Sequence, residues 1–222
     1  MKKEHAFAEL LGAFAGDGWI SKSKSSFSLF ITGNPKLEKE YYQRIKNLFQ
    51  LKFNLKVVPR EFSYWKTYGI SISNQKVINE FQSVGMPSGE KSSRVNVPNL
   101  IKNNVVLHCD FIRGFFDTAG CISFQKSYNK NASRWQKKVR HKPTVSFTSI
   151  SEELVDSLIS MLNGLSFNFK KMFKKPSKIW EHNPFELRLE GKANVKRFFS
   201  VISPGNSKHL NRFNLWLRQG FY

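Results

Sequence analysis

The sequence has few acidic residues for its size and no long apolar run. It contains 16 Asp and Glu against 36 Lys and Arg, which gives a formal net charge of +20. A charge of that size exceeds what solubility requires and predicts a polyanionic partner. No stretch reaches the roughly 18 to 20 apolar residues of a membrane-spanning helix. Nucleic acid is therefore favoured over a membrane as the partner.

The N-terminal region does not have the pattern of a secretory signal. Glu9 and Asp17 stand where the apolar segment of a signal peptide would lie. The sequence thus predicts a protein that is not secreted. It is expected in the cytoplasm or nucleoid of a microbe, or in an organelle matrix.

Residue types that bind zinc are few and scattered. The two cysteines, Cys109 and Cys121, have no CxxC spacing, and the five histidines have no ligand spacing. Cys109 adjoins His108, but both fall in a predicted apolar helix, where a packed side chain is the more common role. The sequence predicts no structural zinc, and the unpaired thiols indicate a reducing compartment.

Two segments of the chain resemble each other. Residues 10–21 read LLGAFAGDGWIS and residues 112–123 read IRGFFDTAGCIS. Five positions are identical at a constant separation of 102 residues. These pairs are Gly12 and Gly114, Phe14 and Phe116, Gly18 and Gly120, Ile20 and Ile122, and Ser21 and Ser123.

Further along, the separation becomes 117 residues, as from Lys91 to Lys208. This change places an insertion of about 15 residues in the second copy, between Ile122 and Val145. A repeat of this length predicts a tandem duplication. We expect an N-terminal half at residues 1–92, a linker at 93–104 and a C-terminal half at 105–222.

Each copy predicts the same element order, αββαββα. The apolar segments at about 5–16 and 105–118 predict helices, and alternation of Phe27, Leu29 and Ile31 with Ser26, Ser28 and Thr32 predicts a strand. A second helix is predicted at about 35–51 and 151–165, each opened by a capping residue, Asn34 or Ser151. Further strands are predicted around 56–60, 68–73, 170–173 and 185–190, followed by a last helix in each copy.

The two repeated segments resemble the LAGLIDADG motif. Their order and spacing are similar to those of the single-chain members of that homing endonuclease family, and the resemblance covers nearly the whole chain. It implies an α+β fold in which the duplicated αββαββα units form a pseudo-twofold saddle of two antiparallel sheets. It also implies that the two motif helices pack against each other and present their last acidic residue to the DNA backbone.

The glycines of the motif fit this arrangement. Gly12 and Gly114 lie in helix interiors, where glycine costs about 1 kcal/mol relative to alanine. Close approach of two helix backbones would offset that cost. Gly18 and Gly120 are expected to end the helices by adopting a positive φ.

The resemblance assigns the metal site to the residue before the terminal glycine. In the first copy this is Asp17, with the carbonyl of Gly16 as an additional ligand for Mg²⁺, and Mn²⁺ or Ca²⁺ as substitutes for binding. The matching residue of the second copy is Ala119, which has no side-chain oxygen. Asp117 precedes it by two positions and is expected to point roughly 200° away on a helix.

Three explanations of Ala119 are open: an engineered substitution that leaves DNA uncut, a natural nicking or inactive descendant, and a binding protein that has kept the scaffold. The resemblance also places a basic residue in the loop after the last helix of each repeat. Lys91 and Lys208 match, either as catalytic residues that stabilise charge on the phosphate or as ordinary phosphate contacts.

The predicted sheets would lie in the major groove with one polar face towards the bases. The insertion is the most basic part of the chain and contains no acid, so its lysines and arginines are expected to contact phosphates. The candidate DNA-binding residues are Ser21, Ser23, Ser26, Ser28, Arg60, Lys66, Tyr68, Ser123, Gln125, Lys126, Lys130, Arg134, Lys137 and Arg140.

The leading hypothesis is a monomeric intron-homing endonuclease that makes metal-dependent double-strand breaks at a long DNA site, impaired here by Ala119. Two alternatives use the same scaffold: a non-cleaving DNA-binding protein and an RNA-splicing maturase. Asp17, Lys91 and Lys208 favour the enzyme, whereas Ala119 favours the alternatives.

Overall fold

The structure is a computed structural model that describes residues 1–22, 26–126, 140–173 and 184–220. In the first half, a long helix leads into a strand pair, a second helix, another strand pair and a third helix. The elements are α1 (Lys3–Asp17), β1 (Gly18–Lys22), β2 (Phe27–Gly33), α2 (Lys39–Phe53), β3 (Arg60–Phe62), β4 (Thr67–Ile72) and α3 (Gln75–Ser83).

The second half repeats this order and adds a helix at its end. A short helix and a 3-10 turn (Val105–Leu107) connect the halves. The elements are α4 (Asn99–Lys102), α5 (His108–Ala119), β5 (Gly120–Lys126), β6 (Arg140–Ser149), α6 (Glu152–Gly164), β7 (Lys170–Phe173), β8 (Phe185–Glu190), α7 (Lys192–Val201) and α8 (Ser207–Gln219).

The strands form two four-stranded antiparallel sheets of matching topology. Their orders are β1-β2-β4-β3 and β5-β6-β8-β7. Leu29 pairs with Ile72 in the first sheet, and Val145 pairs with Leu189 in the second, and all four side chains are buried. The predicted α+β fold with a duplicated αββαββα unit is confirmed. The helix α8, which follows α7, was not predicted.

The central contact of the molecule is between α1 and α5. A Cβ placed on Gly12 would lie 2.0 Å from the carbonyl oxygen of Phe111, and a Cβ on Gly114 would lie 2.0 Å from that of Glu9. The two helix backbones therefore touch directly at these glycines. The close approach that was predicted from their mid-helix positions is confirmed.

Gly18 and Gly120 serve a different purpose from the predicted one. Their φ angles are −88° and −84°, in the extended region that any residue adopts. A Cβ on Gly18 would lie 2.6 Å from Cδ2 of Phe14, and one on Gly120 would lie 2.1 Å from Cδ2 of Phe116. These glycines are needed for space beside a buried ring, because each helix passes straight into a strand. The expectation of a positive φ was wrong.

The two predicted capping residues have different outcomes. Ser151 accepts a hydrogen bond from the backbone N–H of Leu154 and caps α6 as expected. Asn34 accepts from Lys36 and Leu37 instead, so it stabilises a turn that precedes α2. The start predicted at residue 35 was therefore four residues early, since α2 begins at Lys39.

A buried ionic network joins the halves beside the glycine contact. Glu9 of α1 is fully buried and accepts hydrogen bonds from Arg44 of α2 and from Arg113 of α5. Arg113 also donates to Asp110 at 2.7 Å, and Asp110 contacts His5 of the other half. Loss of one partner from such a network leaves an uncompensated buried charge, which typically costs about 3–5 kcal/mol.

We predict that Gly114→Ala destabilises the protein by about 1–3 kcal/mol, because the added methyl group meets the carbonyl oxygen of Glu9 and cannot move aside. Gly164→Ala is the matched control, since a Cβ at the end of α6 meets nothing within 4 Å. Urea unfolding of both variants measures the difference. Equal free energies of unfolding for the two variants would contradict the direct backbone contact.

Candidate active centre

The C-terminal ends of the two motif helices meet. A Cβ on Gly16 would lie 2.0 Å from Oγ1 of Thr118 and 3.2 Å from Cβ of Ala119. Because Gly12 meets Phe111 and Gly16 meets Thr118, the helices run side by side in the same direction. The residues that end the first motif therefore lie beside those that end the second.

Lys91 binds the end of α1. Its Nζ donates to the carbonyl oxygens of Phe14 at 2.8 Å, Ala15 at 2.9 Å and Gly16 at 2.7 Å. These carbonyls belong to the last turn of the helix, where a positive charge is favourable. Burial lowers the pKa of the Lys91 ammonium to about 8, and Asp17 opposes this effect. The Gly16 carbonyl, predicted as a metal ligand, thus accepts a hydrogen bond from Lys91.

Asp17 lies among charges from both halves. Burial raises the pKa of its carboxyl, Lys91 lowers it, Glu38 raises it and Lys208 lowers it. The net pKa shift is upward, which means that the carboxylate is poorly solvated. A cation close to Asp17 would offset that lost solvation.

Lys208 contacts a buried carboxylate rather than helix carbonyls. Its Nζ donates to Oε1 of Glu38 at 2.8 Å, and Glu38 is only 4% exposed. The amide Nδ2 of Asn206 donates to the same oxygen at 2.9 Å and to the carbonyl of Asp117 at 2.7 Å. Lys91 and Lys208 occupy matching sequence positions, but they do not make matching contacts.

Sequence reasoning missed Glu38 and Asn206, because neither residue lies in a motif that indicates a functional site. Glu38 lies in the turn before α2, and Asn206 lies in the loop before α8, 168 positions away. Only the packing of one half on the other brings the two together. A search for matching offsets could not find them, since it compares equivalent positions of the repeats and not positions in contact.

Asp117, two positions before Ala119, is fully buried. It accepts hydrogen bonds from the backbone N–H groups of Gly205 at 2.7 Å and Asn206 at 3.1 Å. Burial raises the pKa of its carboxyl to about 7, and the two backbone hydrogen bonds oppose that shift. Asp117 therefore holds the loop that carries Lys208.

Ala119 lines a cavity at the helix ends. The cavity walls come from α1, from the Lys91 loop, from α5 and from the end of β6. They are formed by Ala15, Gly16, Lys91, Ser92, Val95, Phe115, Ala119, Thr148, Ser149 and Ile150. No carboxylate is among these residues, so this cavity contrasts with the acidic surroundings of Lys208.

The residues predicted to bind DNA are divided between several places. On the sheet faces turned away from the helices lie Ser21, Ser28, Arg60, Ser123 and Gln125, as the strand registers show. Ser26 is exposed before β2, and Lys66 is exposed in the β3–β4 turn. Lys126 and Arg140 face each other in the pairing of β5 with β6. Ser23, Lys130, Arg134 and Lys137 lie outside the described residues.

One residue departs from its predicted position. Tyr68 lies on the helix side of its sheet, where its ring packs 5.8 Å from that of Tyr42 and 5.3 Å from the Lys39 ammonium. Its expected place on the open face was wrong, because it shares a strand face with the buried Ile70 and Ile72. Thr32 pairs with Gly69 on the open face, as its alternation predicted, but it is only 6% exposed.

The open face of the first sheet carries an aromatic cluster beside its polar residues. Trp19 stacks on Phe30 with ring centroids 4.8 Å apart, and Trp65 lies edge-on to both. Phe62 packs against Phe30 at 5.9 Å and Trp65 at 5.7 Å. Phe30 was the available signal, since it interrupts the predicted polar alternation of β2.

Within the described ranges, no three His, Cys, Asp or Glu side chains are grouped so as to hold a metal ion by themselves. A metal at Asp17 would therefore need oxygen ligands from outside the protein side chains. In the same part of the chain, no helix is long and apolar enough to cross a bilayer.

Comparison with known proteins finds a family model that matches the second of the two repeated units. Residues 107–203 match the family model described as LAGLIDADG-like domain. The chain is also 28% identical over 211 residues to the replication factor C small subunit of Methanocaldococcus jannaschii. That match covers 91% of this chain but 11% of the relative, so the chain spans about a tenth of the relative's length.

Solved structures of homing endonucleases share the whole fold. I-DmoI in complex with DNA and Mn has a TM-score of 0.62 and 16% identity, over 92% of this chain and 99% of that chain. I-SmaMI bound to an uncleaved DNA target with calcium ions has a TM-score of 0.62 and 11% identity, over 96% and 90% of the two chains. Residues 107–203 are thus similar to a LAGLIDADG-like domain, and the chain as a whole has the fold of the single-chain, two-motif homing endonucleases.

Proposed function

We propose that this chain is a metal-dependent, site-specific DNA endonuclease that binds a long duplex site as a monomer and hydrolyses one strand. The observation that carries the proposal is the meeting of Asp17, Lys91 and Lys208 at the paired ends of α1 and α5, next to Ala119. One carboxylate between two lysines is a centre for phosphodiester chemistry. Ala119 leaves the second motif without a carboxylate at the position that matches Asp17.

DNA as the partner is supported by charge and by the structural neighbours. A net charge of +20 favours a polyanion, and it predicts binding that weakens steeply with added salt. I-DmoI and I-SmaMI are both described as bound to DNA. We extend that partner to this chain, with residues 1–92 and 105–222 each binding half of the site and residues 93–104 joining them. Intron homing is the biological role that the family resemblance suggests.

A divalent metal suits the surroundings of Asp17. Mg²⁺ prefers oxygen ligands and often binds one or two carboxylates together with substrate phosphates. Asp17 would supply the protein carboxylate, and its poorly solvated state is the observation that fits a cation. When bound, the metal would polarise the scissile phosphate and lower the pKa of a bound water. The I-DmoI complex contains Mn, another divalent ion.

Lys91, Lys208 and Glu38 would have separate roles in this centre. Lys208 would stabilise negative charge that develops on the phosphate. Glu38 and Asn206 would hold the Lys208 ammonium in place, since the Asn206 amide and the Lys208 ammonium both donate to Oε1 of Glu38. Lys91 would keep the end of α1 ordered through its three carbonyl contacts.

The direct contacts with DNA would come from the open faces of the two sheets. Ser21, Ser28 and Arg60 lie on the first face, and Ser123 and Gln125 lie on the second. Lys66 and Ser26 would lie at the rim of the first sheet. Lys126, Lys130, Arg134, Lys137 and Arg140 belong to or adjoin the insertion, and we propose that they contact phosphates.

We predict that the chain converts supercoiled plasmids with a cognate site into open circles, with little linear product. Ala119→Asp should add linear product because it supplies the missing second carboxylate, and Asp17→Asn should reduce nicking to background. The assay uses a plasmid library with randomised sites and Mg²⁺, read by gel electrophoresis. Chelation of the metal should stop nicking.

The matched control is Ala119→Asn, which has nearly the same size as the aspartate variant but no charge. It should leave the product an open circle. Tight duplex binding without any nicking by the original chain or by Ala119→Asp would overturn the endonuclease proposal in favour of a non-cleaving DNA-binding protein. Preferential binding of RNA would favour the maturase.

We predict that Lys208→Met slows nicking by about 100-fold, in the range expected when a group that stabilises charge is removed. Lys76→Met, an exposed lysine of α3, removes the same charge elsewhere and should leave the nicking rate unchanged. The nicking rate is measured with saturating DNA.

Lys208→Met also leaves Glu38 buried without its ammonium, so the variant could lose stability instead of chemistry. Adding Glu38→Gln removes that uncompensated charge and should restore the melting temperature. Nicking should stay slow in the double variant. Recovery of the nicking rate together with stability would contradict a chemical role for Lys208.

A further inference from the structure

The open face of the first sheet carries a cluster of four partly exposed aromatic rings. We call Trp19, Phe30, Phe62 and Trp65 the aromatic face. Trp65 is 45% exposed, although burying a large aromatic ring is usually favourable. The cluster packs on itself but is covered by no other described element of the chain.

In the second sheet, the positions that match Trp19 and Phe30 are not aromatic. Gly18 pairs with Ile31 in the first sheet, and Gly120 pairs with Phe147 in the second, which aligns the two registers. By this alignment, Trp19 corresponds to Cys121 and Phe30 corresponds to Ser146. The open face of the second sheet also carries Ser123, Gln125 and Arg188, so the two faces differ in chemistry although their backbones match.

Small residues make room for the aromatic face. β4 contributes Gly69 and Ser71 to the open side of the sheet, between β2 and β3. Phe30 and Phe62 therefore meet across β4 with ring centroids 5.9 Å apart. The rings form one continuous apolar patch over three strand spacings.

Cations border this apolar patch. The guanidinium of Arg60 lies 5.1 Å from the centre of the Phe62 ring and donates to Ser71 at 3.1 Å. Lys66 is exposed in the turn beside Trp65. An apolar patch edged by positive charge complements a surface that has apolar groups between phosphates.

The major groove of DNA has one apolar group on its base edges, the C5-methyl group of thymine. The N7, O6, N6, N4 and O4 groups of the base edges are hydrogen-bond donors or acceptors, and aromatic carbon cannot satisfy them once water is excluded. The aromatic part of this face therefore favours positions where it contacts a thymine methyl group over positions where it contacts only donors and acceptors. The polar second face, by contrast, can hydrogen-bond to base edges.

We infer that the aromatic face is a specificity determinant that selects thymine methyl groups in the half-site bound by the first sheet, so that the two half-sites are recognised by different chemistry. The inference rests on the proposed function, because it requires the open sheet faces to lie in the major groove. The thymines would cluster in one half of the target.

The test begins with selection of duplex DNA from a random library, using the full chain without added metal. The selected sites should be enriched in thymine in one half only. The best site is then resynthesised with deoxyuridine in place of those thymines, which removes the methyl groups alone. Affinity should fall about fourfold for each methyl group, the value expected for one buried carbon. The same replacement in the other half-site should leave affinity unchanged.

Two variants connect the effect to the aromatic face. Phe30→Ser copies the residue found in the second sheet, and Trp65→Ser removes the most exposed indole of the cluster. Both should bind the thymine and deoxyuridine sites equally well. The control is Leu215→Ser, which removes an exposed apolar side chain from α8 and should keep the fourfold preference. Thermal melting verifies that each variant is folded.

The outcomes separate this inference from the proposed function. Tight duplex binding without any loss on deoxyuridine substitution overturns the inference and leaves the endonuclease proposal intact. Absence of duplex binding overturns both. Preference for single-stranded nucleic acid or RNA, or a dimer that Trp65→Ser abolishes, overturns the inference by showing another occupant of the aromatic face.

Discussion

The direct contact between the backbones of α1 and α5 is the constraint on which the rest of the structure depends. Gly12 and Gly114 allow the two helices to approach without side chains between them. The approach places Gly16 against Thr118 and Ala119, so the ends of both motifs share one small volume. A larger residue at either glycine would separate the ends, and with them Asp17, Lys91 and Lys208.

The helix ends are nearly symmetric in backbone but not in chemistry. The end of α1 is bound by Lys91 through three carbonyls, whereas the end of α5 is contacted by Asn206, and Lys208 pairs with Glu38. Asp17 has no counterpart at Ala119. A duplication sets up two equal positions, and single substitutions then differentiate them. The proposed one-strand activity follows from this difference.

The two sheets show the same division. Equivalent strands pair in the same register, yet one open face is aromatic and the other is polar. Period-two alternation identified which residues of β2 are buried, because alternate side chains point to the side of the sheet that the helices cover. It did not identify the open face, because Phe30 and Phe62 meet across β4 only after the strands are ordered β1-β2-β4-β3. Tyr68 differs, because its alternation with Ile70 and Ile72 within β4 already indicated the buried side.

The sequence by itself determined the repeat, the element order, the close helix contact at Gly12 and Gly114, and the inequality of Asp17 and Ala119. These features are local or follow from comparing equivalent positions. Tertiary structure alone decided that Glu38 and Asn206 join Lys208, that Gly18 needs space rather than a positive φ, and that Lys91 occupies the Gly16 carbonyl. The physical reason is that the contacts of Lys91 and Lys208 join residues far apart in sequence, so only packing sets their distances, whereas the space at Gly18 depends on how α1 passes directly into β1 beside the Phe14 ring.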